Sequence, residues 1–132
     1  MRDVSSDEEL AAFLDARLDE AQRDAEAMEH DRDWDDDYRS CLAARIGTMA
    51  DKGYAEADCN CGLAERKARA LREVEAKRAI LSRYERGTAG DLPEWKAGRE
   101  LIEAGLAILL AVLRDLAAID RDHPDYRPEW KP

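Results

Sequence analysis

Apolar residues recur every three or four positions near the start of the chain, with polar residues between them. The residues of this stripe are Leu10, Ala11, Phe13, Leu14, Leu18, Ala21, Ala25 and Met28. Such spacing places them on one face of an α-helix. Ser6 and Glu9 form a capping box, which is typical of a helix start. The pattern therefore predicts a helix over about residues 7–30.

A second helical pattern begins at about residue 62. Its apolar residues cluster on one side of the helical wheel. They are Leu63, Ala70, Leu71, Val74, Leu81 and Tyr84. Gly87 and Gly90 follow, and glycine is common just after the C-terminus of a helix. We therefore expect the second helix over about residues 62–86.

The third pattern covers about residues 93–120 and is apolar around nearly the whole helix over Leu101–Ile119. Asp91 and Glu94 form a second capping box at its start. A helix with apolar residues on all sides needs cover on more than one side. The sequence therefore predicts either the central helix of a bundle or a helix in a homodimer interface.

The remaining segments have weaker patterns. Residues 31–39 are predicted to form an acidic loop and residues 40–52 a short helix. The tail, residues 121–132, contains three prolines and is expected to be extended. Its Tyr126 and Trp130 side chains are expected to anchor it onto the helices, because such rings bury a large apolar area.

Together these elements predict an all-α fold, a small bundle of three long helices plus a short helix and an extended proline-rich tail. Composition agrees, because the apolar residues are mostly Ala and Leu and β-branched residues are scarce. A chain of 132 residues suits one domain with a core, so we expect a single domain over residues 1–132.

The sequence gives no sign of a membrane or export segment. The most apolar stretch, residues 104–113, is shorter than the roughly 20 residues that span a bilayer. The first residues turn acidic where a signal peptide would be apolar. The three cysteines are an odd number, which suits a reducing compartment. We therefore expect a cytoplasmic protein without membrane contact.

Charge adds an expectation about partners. The net charge is −10, and the acidity lies within the first 37 residues. Direct binding to nucleic acid is not expected, because phosphate contacts need clustered Lys and Arg. A basic protein is the more natural partner. The candidate partner-binding residues are Asp31, Asp33, Trp34, Asp35, Asp36 and Asp37. The alternatives are a surface that mimics the charge of DNA and a merely solvated face.

The cysteines raise the alternative of a structural zinc site. One residue separates Cys59 from Cys61, and Cys41 lies upstream, so with His30 or His123 as a fourth ligand they could form a tetrahedral site. Zinc sites more often show two Cys pairs, and free Cys also serves as a small core residue. We therefore expect no cofactor, with zinc as the alternative.

Three stretches of the chain resemble a known family. They read ELAAFLDARLDEAQRDAEA, ALREVEAKRAILSRYE and DHPDYRPEWKP. In the last, residues 123–132 are similar to a His-Pro-Asp-Tyr-Arg-x-Glu-Trp-x-Pro ending found in small uncharacterised proteins of actinobacteria and their phages. The resemblance implies a bacterial or phage cytosol and supplies no activity. It also implies that the tail is a docking element, with His123, Tyr126 and Trp130 as its contact residues.

No sequence motif of an enzyme is present, since the chain lacks a nucleophile elbow, a phosphate-binding loop and a zincin helix. We therefore expect a non-enzymatic protein-interaction module. Its concrete form would be a phage-encoded modulator of a host protein that acts through the acidic N-terminal face. A small zinc-stabilised protein and a DNA-mimic inhibitor are the alternatives.

Overall fold

The computed structural model describes residues 4–29 and 62–132. Helix α1 spans Val4–Glu26, α2 spans Leu63–Ala89 and α3 spans Lys96–Ala117. Short 3-10 turns follow at Ala118–Asp120 and Pro128–Trp130. No β-strand occurs in these two ranges. The predicted all-α fold is confirmed.

Helix α1 begins three residues before the predicted start and ends four residues before the predicted end. At its C-terminus the Ala27 amide still bonds the Arg23 carbonyl at 2.9 Å, but the Met28 amide bonds the Ala25 carbonyl at 3.3 Å. This change from a four-residue to a three-residue step is the tightening with which helices often end. Met28 therefore lies beyond the helix.

Helix α2 continues three residues past the predicted end and includes Gly87, which the sequence suggested as a stop. The reason lies in tertiary packing. A Cβ atom added to Gly87 would come within 2.5 Å of Leu106 Cδ2. Gly87 is therefore the point at which α3 approaches the backbone of α2 closely, a role that requires a missing side chain rather than a positive φ.

Helix α3 begins at Lys96 rather than at residue 93. Its N-cap residue is Trp95, with an extended backbone and no side-chain capping bond, so the predicted capping box of Asp91 and Glu94 does not open the helix. The Trp95 ring instead lies over the first turn, within 2.5 Å of the position that a Cβ on Gly98 would occupy.

The chain divides into two compact units, one formed by Met1–Glu20 and Val74–Pro132 and the other by Ala21–Glu73. In the second unit the described residues include two buried ones, Ala25 and Leu63. Whether the chain forms a single domain stays a prediction.

The core of the first unit draws on all three helices and on the tail. Its buried residues are Leu10, Phe13, Leu14, Leu18, Val74, Leu81, Tyr84, Leu106, Leu110, Leu113, Ala117 and Trp130. Those from α1 and α2 belong to the apolar patterns that predicted the helices. Removing them from water is the main force that holds the three helices together.

Candidate interaction surface

Helix α3 buries one of its faces in the core. Leu106, Leu110, Leu113 and Ala117 are spaced by three or four residues and are all buried. This inner face accounts for only part of the apolar content that the sequence shows in α3. The other apolar side chains point elsewhere.

The opposite face of α3 is also apolar, and it is exposed. Leu101, Ile108 and Ile119 are 73%, 67% and 66% exposed. Leu101 and Ile108 are seven positions apart, so they lie on nearly the same side of a helix that has 3.6 residues per turn. That side is almost opposite the buried face, and Ile119 follows in the 3-10 turn after α3.

We call this exposed apolar surface the outer stripe. It consists of Leu101, Ala104, Ile108, Val112, Leu116 and Ile119. Ala104 is exposed, whereas Val112 and Leu116 are half-buried at its edge. Leu92 and Trp95, just before α3, are also exposed. Contiguous apolar surface of this kind on a soluble protein commonly marks an interaction site.

The charged residues of α3 have two different settings. Glu100 is exposed, and Lys96 lies 3.7 Å from it across one helical turn. Glu103 and Arg114 are seven residues before and four residues after buried Leu110, so they lie beside the inner face rather than along the outer stripe. The Nε atom of Arg114 is buried and has no hydrogen-bond partner within the described residues.

The predicted docking residues of the tail all surround Phe13 of α1. The Phe13 ring centroid is 5.7 Å from that of His123, 6.0 Å from that of Tyr126 and 5.2 Å from that of Trp130. Trp130 is only 2% exposed. The structure thus places the contact residues of the tail against the protein's own first helix.

Polar contacts add to this arrangement. Arg17 donates a hydrogen bond to Nε2 of His123 and lies over the Phe13 ring. Arg127 forms an ion pair with Glu9 of α1. The backbone of the tail also turns twice, with the Tyr126 amide bonded to the His123 carbonyl at 3.0 Å and the Trp130 amide to the Arg127 carbonyl at 3.0 Å. Contacts at several points thus join the tail to α1.

Part of the acidic surface of α1 is already matched by the protein's own cations. Arg78 of α2 donates to Asp15 at 3.1 Å and to Asp19 at 2.5 Å. The hydrogen bond that Arg78 donates to Asp19 raises the pKa of Arg78. These two carboxylates are therefore less available to a partner than the sequence alone suggests.

An open groove of about 620 Å³ runs beside α1 and α2. Four acidic residues line it, Asp7, Glu8, Asp15 and Glu85, together with Tyr84 and other residues. Asp7 is 6% exposed. Such a lining favours cationic groups over anionic ones. The groove was not apparent from the sequence, because its residues come from the N-terminal half of α1 and the C-terminal end of α2, which are far apart in the chain.

Several predicted site residues lie outside the described ranges. They are His30, Asp31, Asp33, Trp34, Asp35, Asp36, Asp37, Cys41, Cys59 and Cys61. The acidic-run and zinc hypotheses therefore stay predictions. Within residues 4–29 and 62–132 no group of three or more His, Cys, Asp or Glu side chains is placed to hold a metal ion. None of the helices described is long and apolar enough to cross a membrane.

Comparison with known families decides how the chain is classified. The model of a family of unknown function, DUF6221, matches residues 7–132. The chain belongs to the DUF6221 family. The DUF6221 match covers nearly all of α1, the whole of α2 and α3, and the tail, so the outer stripe and the Phe13 cluster both lie within it. No curated protein and no solved structure matches this DUF6221 chain.

Proposed function

We propose that this DUF6221 protein is a non-enzymatic protein-interaction module that self-associates through the outer stripe of α3. The observation that carries the proposal is the exposure of Leu101 and Ile108 on the face of α3 opposite the core, together with Ile119 in the turn that follows, each about two-thirds exposed or more. An apolar face of this length is costly to leave in water. A homodimer would cover it.

The magnitudes are adequate for reversible association. Fully burying a Leu or Ile side chain contributes about 1.5–3 kcal/mol. Two copies would bury most of six such side chains, whereas association costs on the order of 4–15 kcal/mol. The balance favours a dimer at micromolar rather than picomolar concentrations. A moderate affinity of this kind suits an interaction module.

We further propose that the acidic run, residues 31–37, binds a basic protein. Support comes from composition, since five aspartates occur within these seven positions. The ion pairs of Asp15 and Asp19 with Arg78 also support this proposal. Because these two carboxylates of α1 are already paired, they are less suited to bind a basic protein. A phage-encoded modulator of a host protein in the bacterial cytoplasm is the concrete form of this proposal.

Static light scattering tests self-association. At micromolar concentration the wild type is expected at twice the chain mass of 14.9 kDa. Ile108→Asp is expected to return the mass to that of one chain, because it places a charge in the middle of the outer stripe. Ala79→Asp introduces the same charge at an exposed position of α2 and is the matched control. A monomeric wild type would refute the proposal.

A comparison of binding partners tests the acidic run. The wild type and a variant with Asp31, Asp33, Asp35, Asp36 and Asp37 changed to Asn would be used to capture proteins from a host lysate. We expect a basic protein to be retained only by the wild type. Retention of a nucleic-acid-binding protein would favour charge mimicry of DNA, and identical partners would reduce the run to a solubilising surface.

A further inference from the structure

Three side chains of α1 carry the polar and aromatic contacts that join this helix to the tail in the described part of the chain. They are Glu9, Phe13 and Arg17, which follow one another at intervals of four residues. This spacing places them on one side of the helix over a length of about 12 Å. We call these three residues the docking row. It presents an anion, an aromatic ring and a cation in that order.

The tail meets each member of the docking row with a complementary group. Arg127 pairs with the carboxylate of the row, and His123 accepts a hydrogen bond from its guanidinium. The rings of Tyr126 and Trp130 lie 5.8 Å apart, and both contact its phenyl ring. Contacts of three different chemical kinds fix the register and the direction of the tail on α1.

The backbone of the tail makes its hydrogen bonds locally. Within the described residues, five amides each bond the carbonyl three residues earlier, and these are the amides of Arg121, His123, Tyr126, Trp130 and Lys131. Separating the tail from α1 therefore breaks none of these backbone bonds. An element that is attached through side chains can open locally while the helices stay folded.

Several hydrogen-bond donors at this contact lack an acceptor. Nε1 of Trp130 and Nε of Arg17 are buried without a hydrogen-bond partner among the residues described. Both ring nitrogens of His123 face donors, Arg17 at Nε2 and the Asp125 amide at Nδ1, 3.1 Å away. A neutral imidazole has only one acceptor nitrogen, so at most one of these donors is satisfied. Opening would let water bond these groups, which lowers the free energy of opening.

We propose that the docking row is a peptide-binding site and that the tail is its autoinhibitory occupant, which a segment of a protein partner replaces. The partner segment carries the chemistry of residues 123–130, namely a nitrogen acceptor, an aromatic ring, a cation and a second aromatic ring in that order. The inference extends the interaction module proposed above and is independent of self-association through the outer stripe.

The tether between α3 and the tail sets the strength of the inhibition. The tail follows α3 directly after the turn Ala118–Asp120, so its effective concentration at the docking row is on the order of millimolar. A free segment with the same contacts binds only chains whose tail is open, and its apparent affinity falls in proportion to their fraction. A change that weakens the attached tail should therefore raise the affinity for a free segment.

Binding of a synthetic peptide tests the exchange. The peptide has the sequence of residues 121–132 and an N-terminal fluorophore, and its fluorescence anisotropy is measured with the full-length chain. Trp130→Ala weakens the attached tail and leaves the docking row intact, so this variant is expected to bind the peptide about tenfold more tightly than wild type does. Lys131→Ala, at an exposed position, is the matched control and should bind as wild type does. Equal affinities of wild type and Trp130→Ala, with helical content unchanged by circular dichroism, would overturn the proposal.

A charge exchange tests the same site without altering the buried core. The side chains of Glu9 and Arg127 are 41% and 47% exposed, so both positions tolerate substitution. Glu9→Arg in the chain repels the attached tail, and a peptide with Arg127→Glu is expected to bind this variant about threefold more tightly than the unmodified peptide does. A chain that keeps Glu9 should show the opposite preference. The same preference with both chains would show that the peptide does not bind the docking row and would overturn the proposal.

Light scattering of the same samples separates this proposal from self-association. A monomeric chain that binds the peptide as expected supports the exchange and refutes only the dimer. A dimeric chain whose affinity for the peptide is the same with and without Trp130→Ala refutes only the exchange.

Discussion

At the scale of single residues, Phe13 is the side chain against which the C-terminal tail packs. Its ring contacts the rings of His123, Tyr126 and Trp130. Aromatic contacts of this kind contribute about 0.5–1.5 kcal/mol beyond the area that they bury. Trp130 is the most buried of the three tail residues.

Trp130→Ala is expected to reduce the free energy of unfolding by about 3–5 kcal/mol, the usual range for removing a buried aromatic side chain. Urea denaturation followed by circular dichroism measures the change. Lys131→Ala, at the exposed neighbouring position, is the control and should have little effect. A loss below about 1 kcal/mol for Trp130→Ala would show that the tail is not part of the folded unit.

Trp130→Phe separates the contribution of aromatic packing from that of the indole N–H group. The indole Nε1 of Trp130 is buried without a hydrogen-bond partner among the residues described. Phe removes that unsatisfied donor, whose burial is itself unfavourable. We therefore expect Trp130→Phe to cost less than half as much as Trp130→Ala in the same denaturation experiment.

The cysteines give a residue-scale test of the zinc alternative. We expect purified protein to contain no stoichiometric zinc by elemental analysis, since Cys41, Cys59 and Cys61 lack the paired spacing of most zinc sites. About one zinc per chain that is lost on Cys59→Ser would instead establish a metal site. Thermal unfolding with and without a chelator would then show how much the ion stabilises the fold.

At the scale of elements, α2 and α3 are joined by a close contact at a glycine. Leu106 occupies the space beside Gly87 that a side chain would fill. Sequence patterns predicted that both helices exist and which face α2 buries. They did not distinguish a glycine that ends a helix from one that admits a neighbouring helix, because that distinction depends on a residue 19 positions away in the chain.

Gly87→Val is expected to destabilise the protein by about 1–3 kcal/mol, the usual cost of inserting atoms into a packed core. Gly90→Val is the matched control, because a Cβ at Gly90 would meet only backbone oxygens at ordinary contact distances of 3.6 and 3.9 Å. The difference between the two variants in urea midpoint is the informative quantity. Equal midpoints would contradict the close approach of Leu106.

At the scale of the whole molecule, the two sides of α3 have different surroundings. The inner face packs in a core that includes residues of α1, α2 and the tail, whereas Leu101, Ile108 and Ile119 are exposed. The self-association proposed above would cover these exposed side chains, and its free energy would come mainly from apolar burial.

The sequence by itself determined the all-α class and the approximate positions of α1, α2 and α3, because apolar periodicity and helix propensity are local properties of the chain. It also identified α3 as a helix with apolar residues on more than one side. Only the tertiary structure decided which of those sides is buried, that Gly87 lies inside a helix, and that Trp130 packs on Phe13. These features depend on contacts between residues distant in sequence, and no local pattern encodes such contacts.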